Sequence, residues 1–217
     1  MKAFILLFCT VLPILYGEDK SAQVGDAPYW EGGLVWINVS ADLDYRGNKT
    51  VYRLYQSPDY VVRLEAVSFE NHPTSGVGSA RDVHLLDYRQ GIRTSYDKGK
   101  SRAERWRLQE REIDPFVGGE PIGLGKLRIL EMEARGAQGT TKIPESDQTE
   151  RWETWVATDN RFKIPLLEIR RSYTADNRLV NVSLKMVTTL RTVNQLDPNL
   201  FVVPPKYTVF DIQVNPR

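Results

Sequence analysis

The sequence predicts a mainly β protein built on a single curved antiparallel sheet. Three observations predict it. Residues 179 to 193 alternate like a strand with one face on a core: Val180, Val182, Leu184, Met186, Thr188 and Leu190 fall on one side. Asn181, Ser183, Lys185, Thr189 and Arg191 fall on the other, and Val187 breaks the pattern. A period of two with one apolar side marks a half-buried strand. Upstream, short runs of the same kind follow one another, separated by turn residues. No long stretch repeats with the 3.6-residue period of a helix.

The chain opens with Lys2 and an apolar run from Ala3 to Tyr16, interrupted by Pro13. This fits an export signal and is too short to span a bilayer. A signal peptide is therefore expected over 1–17, with cleavage between 17 and 22, leaving one domain over 18–217. An uncleaved anchor or a buried N-terminal helix is the alternative. Cys9, the only cysteine, lies inside this segment after Phe8, too early and in the wrong context for lipidation. The mature chain is then unstapled and relies on its core, for which about 200 residues suffice. The expected location is secreted or periplasmic.

Lysine and arginine total 29 against 28 acidic residues. This balance gives no reason to expect a nucleic-acid partner. The mixed charges of Lys98 to Glu112 read as a solvated face.

The expected strands are Leu34 to Val39, Val51 to Tyr55, Tyr60 to Phe69, Val83 to Tyr88 and Ile92 to Tyr96. Arg46-Gly47-Asn48, Ser57-Pro58-Asp59, His72-Pro73 and Gln90-Gly91 supply the turns. Ser101 to Glu104 has the form of a helix capping box, yet Trp106 and Leu108 alternate with Arg105 and Arg107, so a strand is favoured there. Residues 114 to 125, rich in proline and glycine, read as a loop. Leu127 to Glu133, Trp152 to Ala157, Leu166 to Tyr173 and Leu179 to Val193 are the later strands, with Thr174 to Arg178 as a hairpin loop. Asp197 and Pro198 start a short helical turn. Leu200 and Phe201 are expected to plug the core, and Tyr207 to Ile212 to return as an edge strand.

No catalytic constellation is legible. His72 and His84 are the only histidines, and with no cysteine in the mature chain they do not make a metal set by themselves. Gly76-Val-Gly78-Ser79 is not a nucleophile elbow, and Gly123-Leu-Gly125 is not a dinucleotide loop. Glu131 and Glu133 share a strand face but lack a facing carboxylate. Asn38, Asn48 and Asn181 each begin a glycosylation triplet, with Asn181 expected to face solvent. Trp152 and Trp155 should point to opposite faces, one into the core and the other toward a surface or cavity.

The C-terminal motifs Glu150-Arg-Trp152 and Asp197-Pro198-Asn199-Leu200-Phe201-Val202-Val203-Pro204 resemble those of a group of exported bacterial proteins of the LolA-like superfamily. Ala27-Pro28-Tyr29-Trp30-Glu31-Gly32 and Asp87-Tyr88 look like ependymin-related secreted proteins. Both resemblances imply a LolA-like half-barrel: one curved antiparallel sheet around an apolar cavity plugged by short helices or loops. They imply a non-enzymatic binding protein without cofactor, holding a fatty acid, phospholipid or acyl chain. The candidate walls are Val180, Val182, Leu184 and Met186, with Trp152 or Trp155. A membrane surface or another exported protein is a further candidate partner. A structural or adhesive protein with a filled core is the main alternative, and a hydrolase the weaker one.

Overall fold

The computed structural model describes residues 28–41, 47–70, 83–117, 121–143 and 146–212. The expected export signal, its cleavage region and His72 lie outside these residues. The strands are β1 (Tyr29–Ser40), β2 (Gly47–Gln56), β3 (Val61–Glu70), β4 (Val83–Asp87), β5 (Ile92–Tyr96), β6 (Arg102–Arg107), β7 (Ile122–Ile129), β8 (Met132–Lys142), β9 (Thr149–Ala157), β10 (Leu167–Tyr173), β11 (Leu179–Val193) and β12 (Thr208–Asp211). A helical turn, α1 (Glu110–Ile113), follows β6, and a 3-10 turn spans Pro198–Phe201.

All twelve strands join one sheet in the order β12-β6-β5-β4-β3-β2-β1-β11-β10-β9-β8-β7. The sheet is curved and open, as the sequence led one to expect. Every pairing is antiparallel except β12 on β6. Near the middle of the sheet β1 pairs with β11, which brings an early and a late strand together.

One irregularity sets which side chains face the interior. Gly33 pairs with Thr189 but Leu34 pairs with Val187, so Thr188 is an extra residue bulged out of β11. A bulge reverses the parity of everything beyond it. Val187, the residue that broke the alternation, is the one fully buried member of β11. Before the bulge its face carries Lys185, Ser183 and Asn181. After it, that face carries Leu190, opposite Gly32, and Thr192, opposite Trp30.

The main core lies on this inner face. Trp30, Leu34, Tyr52, Leu54, Val62 and Leu86 form its floor. Phe162, Ile164 and Leu166, from the loop between β9 and β10, cover one end. Phe162 meets Trp30 edge-on at 5.4 Å between ring centroids. Gln56 ties this loop to the sheet, its carbonyl accepting from the Lys163 N–H at 3.0 Å.

A second core occupies the other face of β4 to β6. Val83, Leu85, Tyr96 and Ala103 are buried there beneath Tyr207. The chain after β11 crosses this back face as a strap, which makes β4 buried on both sides. This explains its unbroken Val-His-Leu-Leu run. Arg63 fastens the strap by donating to the Leu200 carbonyl at 3.2 Å and to the Tyr96 hydroxyl at 3.0 Å.

Several expectations are corrected. Leu200 and Phe201 are only half-buried, and the 3-10 turn has no buried residue. Tyr207, 4.4 Å from Tyr96, is the anchoring side chain. The expected cap does form, with Asp197 accepting from the Asn199 N–H at 2.9 Å, and β12 is the expected edge strand. Residues 114 to 125 are not all loop, because β7 begins at Ile122. Leu127 to Glu133 is not one strand. Leu130 and Glu131 both adopt positive φ, 48° and 65°, and turn β7 into β8. Left-handed backbone at both central positions suits a two-residue hairpin, usually signalled by Asn-Gly. Here that signal is missing, so Glu131 sits in the turn and does not share a strand face with Glu133.

Candidate ligand-binding site

The inner face of the half-barrel holds a hollow of about 380 Å³. Leu34 and Trp36 of β1, Tyr52 of β2, Leu64 of β3, Leu86 of β4 and Ile164 of the covering loop form its apolar side. Its other side is charged. Glu150 of β9, Glu168 and Arg170 of β10, and Lys185 of β11 line it, as do Asn38, Asn181 and Ser183. α1 brings Gln109, Arg111 and Glu112 over it from the far side.

Register places these groups side by side. Trp36, Lys185, Glu168 and Thr154 form one cross-strand row. Asn38, Ser183, Arg170 and Trp152 form the next. Arg170 donates from Nε to Glu168 at 2.9 Å and from Nη1 to Glu150 at 2.6 Å. Lys185 donates to Glu168 at 3.3 Å and stands 5.0 Å above the Trp36 ring. The Trp36 indole donates to the Ser183 hydroxyl at 2.9 Å. Burial alone would raise the Glu168 carboxyl, but Lys185 and Arg170 outweigh it and hold it below the usual glutamate range.

On the opposite wall Arg93 of β5 donates to Glu112 at 2.9 Å. The other Glu112 oxygen accepts from the Gln109 N–H at 2.9 Å, which fixes the start of α1. Arg93 also lies 3.2 Å from His84 Nδ1. Arginine only donates, so in this contact the Nδ1 nitrogen is the acceptor. The Ser95 hydroxyl lies 2.6 Å from the same nitrogen. Burial pushes the Tyr52 hydroxyl up, so it stays protonated. Among the described residues no three His, Cys, Asp or Glu side chains are grouped to hold a metal.

The expected walls lie elsewhere. Val182, Leu184 and Met186 sit on the face of β11 away from the hollow: Leu184 is in a row with Ile37 and Ile169, and Met186 with Val35 and Leu167. Val180 is an extra residue opposite the Ser172-Tyr173 step of β10 and does not line the hollow either. Met186 is 41% exposed. Trp152 and Trp155 do point to opposite faces, yet both are buried, and neither lines the hollow. The Trp152 ring covers Gly139 and the Trp155 ring covers Gly136. The cavity is amphiphilic where an apolar one was expected. Asn181 faces it instead of solvent, Asn38 lines it too, and Asn48 pairs with Asn38 on the same face.

Sequence reasoning missed Trp36, Arg93, Glu112, Glu150, Glu168, Arg170 and Lys185. One signal was present. Glu168-x-Arg170-x-Ser172 and Asn181-x-Ser183-x-Lys185 are complementary polar alternations flanking a single hairpin loop. Two facing strands that pair charges in this way have a polar face that interacts with itself.

No protein-family model matches the chain, and no curated protein matches it. Solved structures are similar to it at low identity. An uncharacterized conserved protein from Thermus thermophilus is 12% identical, with 86% of this chain and 91% of that one covered and a TM-score of 0.47. PNGF-II is 11% identical over 87% of this chain, at a TM-score of 0.48, and this chain spans only 31% of it. A LolA superfamily protein from Nitrosomonas europaea is 12% identical, with 82% and 91% of the two chains covered and a TM-score of 0.37.

Proposed function

We propose that this chain is an exported binding protein that holds a single acyl chain in the hollow of its half-barrel. The observation that supports it is the hollow itself: an inner face with an apolar side and room for a guest. Its size, about 380 Å³, lies near the lower end of the ~300–1,000 Å³ typical of small-molecule sites. This favours a fatty acid or other single chain over a two-chain phospholipid. Export is supported by the pattern of Lys2 to Tyr16.

Burying an acyl chain gains roughly 0.8 kcal/mol per CH₂, so about eight methylenes give ~6 kcal/mol. Association costs ~4–15 kcal/mol. The apolar side alone therefore gives weak binding, and the polar side must add to it. A binder is favoured over a catalyst because the carboxylates of the hollow are held by neighbouring cations. None is left poised as an acid-base pair.

Native mass spectrometry after gentle purification tests this reading, together with uptake of a fluorescent fatty acid. A lipid adduct and saturable uptake are expected. Neither adduct nor uptake would favour the structural or adhesive reading with a filled core.

A further inference from the structure

The charges lining the hollow do not cancel. Among the described residues four permanent cations line it, Arg93, Arg111, Arg170 and Lys185, against three carboxylates, Glu112, Glu150 and Glu168. Each carboxylate already has a cation: Glu112 has Arg93, Glu150 has Arg170, and Glu168 has both Arg170 and Lys185. The cation without a carboxylate in this set is Arg111. Its Nε donates to the Gln109 side-chain carbonyl at 2.8 Å, a neutral partner.

The position of Arg111 gives this excess a use. It belongs to α1, whose start is fixed by the Glu112 contacts to Arg93 and to the Gln109 N–H. It is exposed and yet lines the hollow, so it stands where the hollow opens to solvent. The apolar side chains Leu34, Tyr52, Leu64 and Leu86 lie deeper, on the floor formed by β1 to β4. A guanidinium at the opening and hydrocarbon below match an amphiphile with an anionic head.

We propose that the hollow selects amphiphiles with an anionic head group, carboxylate or phosphate, and that Arg111 is the residue that receives the head. This rests on the reading of the hollow as an acyl-chain site. An uncharged ligand of the same length would fill the floor and leave the cation excess uncompensated. An oxyanion is the natural partner of a guanidinium, which offers it paired donors. Because the head stays near solvent, the contact is screened by salt, and the preference weakens as ionic strength rises.

Isothermal titration of the purified full chain with decanoate, decanol, decyl phosphate and acetate tests the proposal. Decanoate and decyl phosphate are expected to bind roughly tenfold more tightly than decanol, about 1.4 kcal/mol, and acetate not to bind detectably. Arg111→Gln should bring both anions to the affinity of decanol, and Arg111→Lys should restore part of the preference. Arg111 is exposed, so neither variant threatens folding, and an unchanged melting midpoint would verify this. If decanol binds as well as the anions, or if Arg111→Gln leaves their advantage intact, the head-group assignment is wrong while the acyl-chain reading stands. Acetate binding as tightly as decanoate would overturn the amphiphile and leave an anion site. If none of the three decyl ligands binds, the acyl-chain reading fails and the head-group assignment with it.

Discussion

Glu168 shows how one residue couples the hollow to stability. It is buried, with Arg170 and Lys185 on it, and these cations hold its carboxyl below the usual glutamate pKa range in the folded state. A carboxylate of this kind stabilises the fold fully above its unfolded pKa of about 4.3. That contribution is lost as pH falls through the lower folded value. Wild-type protein should therefore lose stability steeply below about pH 4.3, and Glu168→Gln should flatten this acid limb. At neutral pH the same variant should cost about 2–3 kcal/mol, less than a fully orphaned buried charge, because Arg170 keeps Glu150. Urea titrations between about pH 3 and 7 would measure both effects. An unchanged acid limb would show that Glu168 does not carry this linkage.

At the scale of the element, β8 and β9 are joined by glycine-on-indole contacts as well as by ladder hydrogen bonds. A Cβ at Gly136 would lie 2.5 Å from the Trp155 ring, and one at Gly139 would lie 2.5 Å from the Trp152 ring. Both contacts are below any real Cβ separation, so the indoles need these glycines. Gly136→Ala and Gly139→Ala should each destabilise the protein by about 1–3 kcal/mol through overpacking. A shift in tryptophan emission should accompany the loss, as each ring is pushed from its seat. Wild-type denaturation midpoints with unchanged emission would mean that the rings move aside freely. The positive-φ turn at Leu130-Glu131 belongs to the same scale. It was invisible in sequence because neither residue is a usual left-handed former.

The whole molecule is a sheet covered on both faces, by the β9–β10 loop inside and by the C-terminal strap outside. The strap depends on Tyr207, which is 7% exposed and seals Val83, Leu85 and Tyr96. Phe201 is half-buried, 6.3 Å from Tyr29. Tyr207→Ala should cost about 3–5 kcal/mol, as for a buried aromatic, and Phe201→Ala distinctly less. Against a typical total of about 5–15 kcal/mol, the first variant should sit close to unfolding. Thermal melts of the two variants side by side measure this, and the opposite ranking would show that the 3-10 turn anchors the strap.

The sequence by itself determined the class of fold. Alternation in 51–55, 92–96, 166–173 and 179–193, with turn residues between, specifies strands because side-chain direction follows backbone period. It also determined the Asp197-Pro198 turn, the loop at Thr174 to Arg178 and the edge strand after Tyr207, all of which rest on local chemistry. Which face of the sheet encloses the hollow was decided only by tertiary structure. Val180, Val182, Leu184 and Met186 looked like its walls because apolar residues are expected inside. Yet Lys185 and Ser183 face inward, since Glu168 on one neighbouring strand accepts from Lys185 and Trp36 on the other donates to Ser183. The bulge at Thr188 then returns Leu190 to the core. Neither the partner strand nor the extra residue can be read from one strand alone. Both depend on pairing partners far away in the chain, and that pairing fixes where the charged half of the hollow lies.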